Sequence, residues 1–268
     1  MAAKLAGPRL VAGALVMANL AEFLIFPNKL SPKERIRVLA DQQRAFFGLD
    51  ADTEAEILAM SYHRMKAPEK GASTYRWLPK MYCDEFFEKG ILKLSTIKGF
   101  GNDAARESNE GAFVEHLQFS DYERFQVIGL GDDVLALCTT HQPNNKHTGN
   151  DACFMINDPS AFHDLITRLL AINFPVIRSE HGKVSYKHSR VISGKSKLNV
   201  PQQISSSSID FAPLAKYFVK PKTFEHEQEY RYCWQVNGCI NGQLIQSPHY
   251  QQCAHELTKQ LTRKTAWN

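Results

Sequence analysis

The sequence lacks the glycine-rich motifs of the commonest nucleotide-binding and hydrolytic enzymes. It contains no Gly-x-x-x-x-Gly-Lys-Ser/Thr phosphate loop, no Gly-x-Gly-x-x-Gly fingerprint after a predicted strand and no Gly-x-Ser-x-Gly elbow. These absences exclude kinases, Rossmann-type dehydrogenases and α/β-hydrolases. If the chain binds a nucleotide, it must do so in a cleft of another kind.

Spacings typical of metal and redox sites are missing as well. The 6 cysteines include no Cys-x-x-Cys pair, and none of the 10 histidines lies four residues from another. We therefore predict free thiols and no metal site, which is the usual pattern in a cytoplasmic protein.

The first 26 residues hold an apolar run that is too short and too interrupted for a membrane span. Lys4 and Arg9 precede Leu10–Val16, as in a secretory signal, but Asn19 and Glu22 interrupt the apolar residues. A spanning helix needs roughly twenty apolar residues. We predict an apolar helix that packs on the body of the protein or binds a partner, and no membrane span.

The composition is that of a globular and mildly basic protein. With 268 residues, of which 43% are hydrophobic, the chain can bury a sizeable core. A formal net charge of +4 permits a nucleic-acid partner without requiring one.

Helix signals dominate the N-terminal part. Ser31-Pro32-Lys33-Glu34 has the spacing of a capping box with proline at the first helical position, and apolar residues repeat at helical intervals up to Gly48. A second helix is predicted from Asp52 or Thr53 to Met65, followed by a linker. We therefore predict a helical N-terminal extension, residues 1–73, and an α+β domain, residues 74–268.

The predicted α+β domain alternates strand and helix patterns. The patterns predict a strand from Tyr75, a helix ending at Gly90, strands over Ile91–Thr96, Val134–Cys138 and Ala152–Ile156, and a helix capped by Asn157-Asp158-Pro159. Residues 193–208, with alternating lysines and a run of serines, are predicted to form a mobile loop that could act as a lid.

The stretch from Phe224 to Arg231 is the most informative of the chain. Its pattern predicts a strand that runs on to Val236, with alternating charges inside it. Because strand side chains alternate between faces, Glu227, Glu229 and Arg231 would share one surface. Two neighbouring carboxylates beside a guanidinium are candidates for shifted pKa values and for chemistry. An exposed strand face with an ordinary ion pair remains the alternative.

Three short motifs carry a resemblance to known proteins. They are Tyr75-Arg76-Trp77, Phe100-Gly101-Asn102-Asp103 and Phe224-x-x-Glu227-x-Glu229-x-Arg231, with Val184-Ser185-Tyr186 between the last two. Together they resemble a large bacterial family with the pattern Tyr-Lys/Arg-aromatic, Phe-Asn-Asp and Phe-x-x-Glu-x-Glu-x-Arg. The layout is in turn similar to the ADP-ribosyltransferase fold, which implies an α+β architecture with a split mixed β-sheet.

The resemblance also implies an activity and roles for individual residues. It implies mono-ADP-ribosyl transfer from NAD to a nucleic acid or a protein by a bacterial toxin or phage-defence effector, with an antitoxin or chaperone as a possible partner. Glu229 would stabilise the oxocarbenium charge on the ribose, and Glu227 would orient or deprotonate the acceptor. The residues expected to contact NAD are Tyr75, Arg76, Trp77, Ser95, Thr96, Phe100 and Asn102.

Two other functions remain open at this point. A metal-dependent nuclease could use Asp103, Glu227 and Glu229 to hold magnesium. A non-catalytic module could instead dock a partner through its N-terminal apolar helix. A hydrogen-bonded Glu229 and Arg76 facing one cleft would favour NAD. Carboxylates converging within reach of one metal, with a lysine nearby, would favour the nuclease. Burial of Glu227 and Glu229 in ordinary ion pairs, with no cleft, would favour the module.

Overall fold

The computed structural model of the chain describes residues 23–26, 29–47, 69–100, 113–119, 121–128, 133–144, 150–187, 191–195, 214–236, 239–240, 243–244, 249–253 and 261–265. Within these residues the fold is α+β, as predicted. Four α-helices are described: α1 (Pro32–Phe47), α2 (Lys80–Lys89), α3 (Ile97–Phe100) and α4 (Pro159–Asn173). No described helix is both long and apolar enough to cross a membrane.

Strands make up most of the remaining structure that is described. In chain order they are β1 (Phe23–Phe26), β2 (Thr74–Leu78), β3 (Ile91–Thr96), β4 (Phe113–Gln118), β5 (Glu123–Ile128), β6 (Val134–Thr140), β7 (Ala152–Ile156), β8 (Val176–Lys183), β9 (Ser185–Lys187), β10 (Val191–Lys195), β11 (Val219–Pro221), β12 (Glu229–Val236), β13 (Cys239–Ile240), β14 (Gln243–Leu244), β15 (His249–Gln252) and β16 (Thr262–Thr265). Two 3₁₀ helices, Ala215–Phe218 and Lys222–Glu227, lie on either side of β11.

Local signals in the sequence explain where several helices begin and end. Ser31 and Glu34 form the predicted capping box: the Ser31 backbone N–H donates to Glu34 Oε2 at 2.9 Å, and the Glu34 N–H donates to Ser31 Oγ at 3.3 Å. Asp158 caps α4 by accepting a hydrogen bond from the Ala161 N–H at 3.0 Å. Gly90 ends α2 with a φ of 70°, a conformation that favours glycine.

An eight-stranded sheet forms the centre of the protein. The strands follow the order β15-β3-β6-β2-β7-β16, while β12 pairs with β6 and with β8. Every pair in this sheet is antiparallel. The prediction of a mixed central sheet is therefore wrong, and the parallel pairs that are described belong to other sheets: β10 runs parallel to β4, and β11 runs parallel to β9.

Along one edge, strand β6 pairs with two strands that separate from each other, an arrangement that we call the fork. Strand β12 pairs with β6 from Val134 to Thr140, so β3 and β2 must share the opposite edge. There β3 pairs with Leu135 and Ala136, whereas β2 pairs only with Thr140. The two strands diverge opposite the intervening residues of β6, and this fork lies next to the candidate site.

The main hydrophobic core lies on one face of this sheet, beneath α2 and α4. It is built from alternate residues of the central strands, including Tyr230, Tyr232 and Trp234 of β12, and from helix residues such as Phe86 and Phe162. A second apolar cluster lies on the opposite face of β6 and β12. It contains Ile97, Phe100, Val134, Ala136, Leu214, Tyr217, Phe218 and Cys233, with Cys138 packed against it.

The N-terminal residues that are described pack on a four-stranded sheet of order β1-β5-β4-β10. Leu39 and Ala40 of α1 contact Val114 and Phe125 of this sheet. The expectation of an apolar helix before Phe26 is wrong for Phe23–Phe26, which form a strand paired with β5. Residues 1–22 and the predicted second helix, 52–65, lie outside the described residues.

Several other predictions can be compared with the structure. The predicted strands at 75, 91–96, 134–138 and 152–156 and the helices ending at Gly90 and beginning at Pro159 are confirmed. The predicted loop 193–208 begins inside β10, and its residues after Lys195 lie outside the described part of the chain. Five cysteines that the structure describes are free thiols, namely Cys83, Cys138, Cys153, Cys233 and Cys253.

Candidate functional site

A cavity lies between β2 and β3, where the two strands diverge from β6. Its volume is about 280 Å³. Three residues predicted to contact NAD line it, each from a different element: Arg76 of β2, Ser95 of β3 and Phe100 of α3. The other lining residues are Leu78, Pro79, Tyr82, Phe86, Ile91, Leu92, Lys93, Gly99, Asn150 and Phe154. We call this space the fork cavity.

Arg76 connects the fork cavity to β6. Its guanidinium donates a hydrogen bond to the Cys138 carbonyl oxygen, which lies opposite the gap between β2 and β3. Arg76 therefore satisfies a backbone acceptor where the sheet ladder is interrupted. The acids of the adjacent helix α2 are paired with lysines: Asp84 pairs with Lys80 and Lys264, and Glu85 pairs with Lys89.

Of the remaining residues predicted to contact NAD, those that the structure describes do not line the fork cavity. Tyr75 and Trp77 alternate with Arg76 along β2, and the Trp77 indole donates to the Pro143 carbonyl at 3.1 Å. Thr96 is buried, and its hydroxyl accepts a hydrogen bond from the Gly99 N–H at 3.0 Å, which caps the turn of α3. Asn102 lies outside the described residues.

Glu229, the predicted catalytic carboxylate, is the first residue of β12 and is only 6% exposed. Its Oε1 accepts a hydrogen bond from Arg231 Nε at 2.7 Å, and its Oε2 accepts one from Lys220 Nζ at 3.1 Å. Its backbone N–H donates to the Tyr186 hydroxyl oxygen at 2.7 Å. Both carboxylate oxygens are thus held by cations inside the protein.

Lys220 joins the two predicted carboxylates. It lies on β11, is 6% exposed, and donates to Glu227 Oε2 at 2.6 Å as well as to Glu229. Arg231 also donates to the Tyr217 carbonyl oxygen at 2.5 Å. We refer to Lys220, Glu227, Glu229 and Arg231 as the ionic cluster. Its two positive and two negative side chains balance in formal charge, which reduces the cost of burying them.

The ionic cluster keeps Glu229 ionised. Burial alone would raise the pKa of Glu229, because a carboxylate loses hydration inside the protein. The positive charges of Arg231 and Lys220, together with hydrogen bonds from Arg231 and the Cys138 thiol, outweigh burial and hold the pKa well below its usual range. Burial raises the pKa of the neighbouring Tyr186 hydroxyl, so this group stays protonated.

The prediction that Glu227 and Glu229 share a strand face is wrong in its geometry. Residues 222–227 form a 3₁₀ helix, and β12 begins only at Glu229. Gln228, between them, has a φ of 46°, which few residues other than glycine adopt. This turn brings both carboxylates to Lys220 by a route that strand alternation does not describe.

Cys138 is the described link between the ionic cluster and the fork cavity. Its thiol donates a hydrogen bond to Glu229, and its backbone carbonyl accepts one from Arg76. Phe100 provides a second connection, because it lines the cavity and belongs to the same apolar cluster as Tyr217, which accepts a hydrogen bond from Arg231. Glu229 itself is not among the lining residues.

The features that would favour a nuclease are only partly described. Glu227 and Glu229 converge on the ammonium group of Lys220, and within the described residues no three His, Cys, Asp or Glu side chains are grouped to hold a metal. Asp103, the third carboxylate of that hypothesis, lies outside them. The nuclease alternative therefore stays a prediction.

Sequence reasoning missed Lys220, which contacts both glutamates, and Tyr82 and Lys93, which line the cavity. Lys93 lies on the same face of β3 as Ile91 and Ser95, so the strand pattern that selected Ser95 could have selected it too. No sequence pattern marked Lys220 as a site residue. It lies near Glu229 only because β11 pairs with β9 and is followed by the 3₁₀ turn of residues 222–227.

No family model, no curated protein and no solved structure matches this chain. The chemistry of the site must therefore be inferred from its own residues.

Proposed function

We propose that this protein is a mono-ADP-ribosyltransferase that binds NAD in the fork cavity and transfers ADP-ribose to a nucleic acid or a protein. Such a protein would act as a toxin or phage-defence effector in the bacterial cytoplasm. The observation that carries the proposal is that Arg76, Ser95 and Phe100 line one cavity. Arg76 and Phe100 belong to separate motifs, and the resemblance implies that all three residues contact NAD.

The chemistry required of such a site suits the groups around it. Breaking the bond between nicotinamide and ribose develops positive charge on the ribose, and an ionised carboxylate stabilises that charge. Glu229 is held in its ionised form and is linked to the cavity through Cys138. The guanidinium of Arg76 suits a phosphate or ribose oxygen, and the ring of Phe100 offers a surface on which nicotinamide can stack.

Glu227 would act on the acceptor rather than on NAD. Its side chain is 19% exposed, against 6% for Glu229, so it is the carboxylate of the ionic cluster that an incoming acceptor reaches more easily. A hydrogen bond from the attacking group to Glu227 would orient or deprotonate that group. The proposal requires the nicotinamide ribose to approach Glu229 from the cavity.

A second function is favoured by the burial of the ionic cluster. Both oxygens of Glu229 are already bound by Arg231 and Lys220, as expected if the cluster only stabilises the fold. In that case the protein would be a non-catalytic module that binds a partner. The two functions differ in whether NAD is consumed.

The test is an assay of NAD turnover with the full chain. Purified protein is incubated with NAD labelled in its adenylate phosphate, together with RNA, DNA or bacterial lysate, and both released nicotinamide and labelled acceptor are measured. We expect transfer by the wild type and a loss of about 100-fold or more in Glu229→Gln, which removes the charge opposing the oxocarbenium. The absence of both nicotinamide release and transfer in the wild type would favour the non-catalytic module.

Glu123→Gln is the matched control for this assay. Glu123 is also buried and ion-paired with an arginine, but it lies in the four-stranded sheet. Circular dichroism checks that each variant is folded. We expect Glu123→Gln to retain turnover wherever it folds, whereas equal losses in the two variants would show that Glu229 acts only through stability.

Arg76→Lys tests the cavity separately from the ionic cluster. Lysine keeps the positive charge but lacks the planar fork that binds two oxygens at once. We expect weaker NAD binding, measured by titration calorimetry, with an unchanged fold. Equal NAD affinity in the variant and the wild type would make Arg76 a structural residue.

A further inference from the structure

The fork cavity contains a second positive charge that the proposed reaction has not used. Lys93 of β3 shares its strand face with Ser95 and lines the cavity together with Arg76. The described residues that line the cavity include these two cations and no aspartate or glutamate. The cavity is therefore electrostatically suited to an anion.

Lys93 is held by an aromatic ring rather than by an acid. Its ammonium lies 4.1 Å from the centroid of the Tyr82 ring, within the range of a cation–π contact. Among the described residues, no carboxylate forms an ion pair with Lys93. The lysines of the neighbouring surface behave differently, because Lys80 and Lys264 pair with Asp84 and Lys89 pairs with Glu85.

The position of Lys93 makes this arrangement informative. The side chain is half-buried, so its charge is partly removed from water without a fixed counter-charge. A ring on one side holds the ammonium in place while leaving its three N–H donors for another group. An anion in the cavity would supply the missing charge.

The other residues that line the cavity indicate which chemical groups the anionic ligand carries. The rings of Phe86, Phe100 and Phe154 offer aromatic surface, and Ser95 and Asn150 offer hydrogen-bonding groups. A volume of about 280 Å³ lies at the small end of ligand sites, which span roughly 300–1,000 Å³. Such a space suits one aromatic ring with a sugar and a phosphate better than a whole dinucleotide.

We propose that Lys93, supported by Tyr82, forms a phosphate subsite in the fork cavity, and that the cavity takes a phosphorylated nucleoside. This inference rests on the proposed function for the identity of the base: it assigns the nicotinamide mononucleotide half of NAD to the cavity. The phosphate would bind Lys93 and Arg76, and the ring would stack within the aromatic wall. The adenosine half would lie outside.

The test compares two compounds that differ only in the phosphate. Nicotinamide mononucleotide and nicotinamide riboside are titrated into the full chain as wild type, as Lys93→Met and as the control Lys89→Met. Methionine keeps an unbranched apolar stem against Tyr82 and removes the charge. Lys89 is the control because it lies at the exposed end of α2 and pairs with Glu85.

We expect the mononucleotide to bind the wild type about 10–100-fold more tightly than the riboside, as a charge-assisted contact implies. Lys93→Met should reduce this difference by about tenfold, with Arg76 still present, and leave riboside affinity unchanged, while Lys89→Met should behave as the wild type. An undiminished difference in Lys93→Met overturns the subsite, as does a wild type that binds both compounds equally. Circular dichroism and thermal unfolding of the variants establish that both are folded.

A parallel titration with adenosine 5′-monophosphate and adenosine separates this proposal from the proposed function. If only the adenosine compounds bind, with a phosphate advantage that Lys93→Met reduces, the subsite stands and the use of NAD is wrong. If NAD is turned over and Lys93→Met changes no phosphate dependence, the transferase stands and the subsite is wrong. If neither monophosphate binds more tightly than its nucleoside, the subsite is overturned.

Discussion

Two buried glutamates in different sheets are held in the same electrostatic way. Glu123 of β5 is 1% exposed and Glu229 of β12 is 6% exposed. Arg35 binds both oxygens of Glu123, and His116 Nε2 lies 2.9 Å from its Oε2. Burial would raise the pKa of Glu123, but hydrogen bonds from Arg35 and His116 lower it, just as cations lower that of Glu229.

The two glutamates differ in what their partners connect. Arg35 comes from α1, so the contact with Glu123 fastens that helix to the four-stranded sheet. Glu229 instead shares Lys220 with a second carboxylate, and Cys138 links it to the residues around the fork cavity. The comparison teaches that a buried, ionised glutamate is not in itself a sign of catalysis. Its connection to a cavity is the feature that distinguishes Glu229.

The largest expected effect on stability comes from removing the arginine of each pair. Arg35→Leu leaves Glu123 beside His116, whose pKa is lowered by burial, so no full positive charge remains. Breaking a buried pair in this way costs about 3–5 kcal/mol. Arg231→Leu should cost less, because Lys220 still lies 3.1 Å from Glu229. Urea unfolding of both variants measures the difference.

Arg263→Leu is the control for these arginine substitutions, since Arg263 lies exposed on β16. A surface change of this kind alters stability by about 0.5 kcal/mol or less. If Arg231→Leu proved the more destabilising of the two buried substitutions, Lys220 would not compensate for the lost charge. The expected contrast between the two pairs would then be wrong.

Acid should act on the eight-stranded sheet through His181, and this effect is the next in size. His181 is 5% exposed, and its Nδ1 lies 2.6 Å from the Tyr230 hydroxyl. Burial, with smaller contributions from the charges of Lys70 and His163, lowers its pKa from 6.5 to about 4. Folding therefore favours neutral His181, and the unfolded chain binds the proton first as the pH falls.

The stability associated with His181 is complete above pH 6.5 and is lost as the pH falls towards 4. Between pH 6.5 and pH 5 the loss from this group is about 2 kcal/mol. His181→Gln should remove that part of the slope, whereas His226→Gln should not, because His226 is exposed. Unfolding free energies at several pH values give the slopes. An unchanged slope in His181→Gln would contradict this assignment.

The parts of the fold that could be predicted from sequence are those with local causes. The capping box at Ser31, the glycine that ends α2 and the aspartate that caps α4 act within a few residues of the chain. The strand β1, the order of the eight-stranded sheet and the fork beside β6 could not be predicted, because they depend on pairing between residues far apart in the sequence.

The candidate site also has parts that could be predicted from sequence and parts that could not. The strand patterns correctly predicted β2, which carries Arg76, and β3, which carries Ser95. That both side chains line one cavity depends on the register of β2 and β3 against β6, which the sequence pattern does not specify. Alternation failed between Glu227 and Glu229, where the positive φ of Gln228 replaces a strand with a turn. Lys220 entered the site from β11, a three-residue strand with no distinctive pattern.

The smallest expected effect concerns the cap of α1 and shows whether the two regions can be separated. Ser31→Ala removes the hydroxyl that accepts from the Glu34 N–H and donates to Glu34 Oε2. Losing such a cap costs about 1 kcal/mol. Because α1 carries Arg35, we expect amide hydrogen exchange to become faster in α1, β4 and β5 and to stay unchanged in β6 and β12.

Ser31→Asp, which can still cap, should keep the wild-type protection. Equal loss of protection in β12 would mean that the region around Glu123 and the region around Glu229 unfold as one unit, and that the contrast between the two glutamates has no counterpart in local stability.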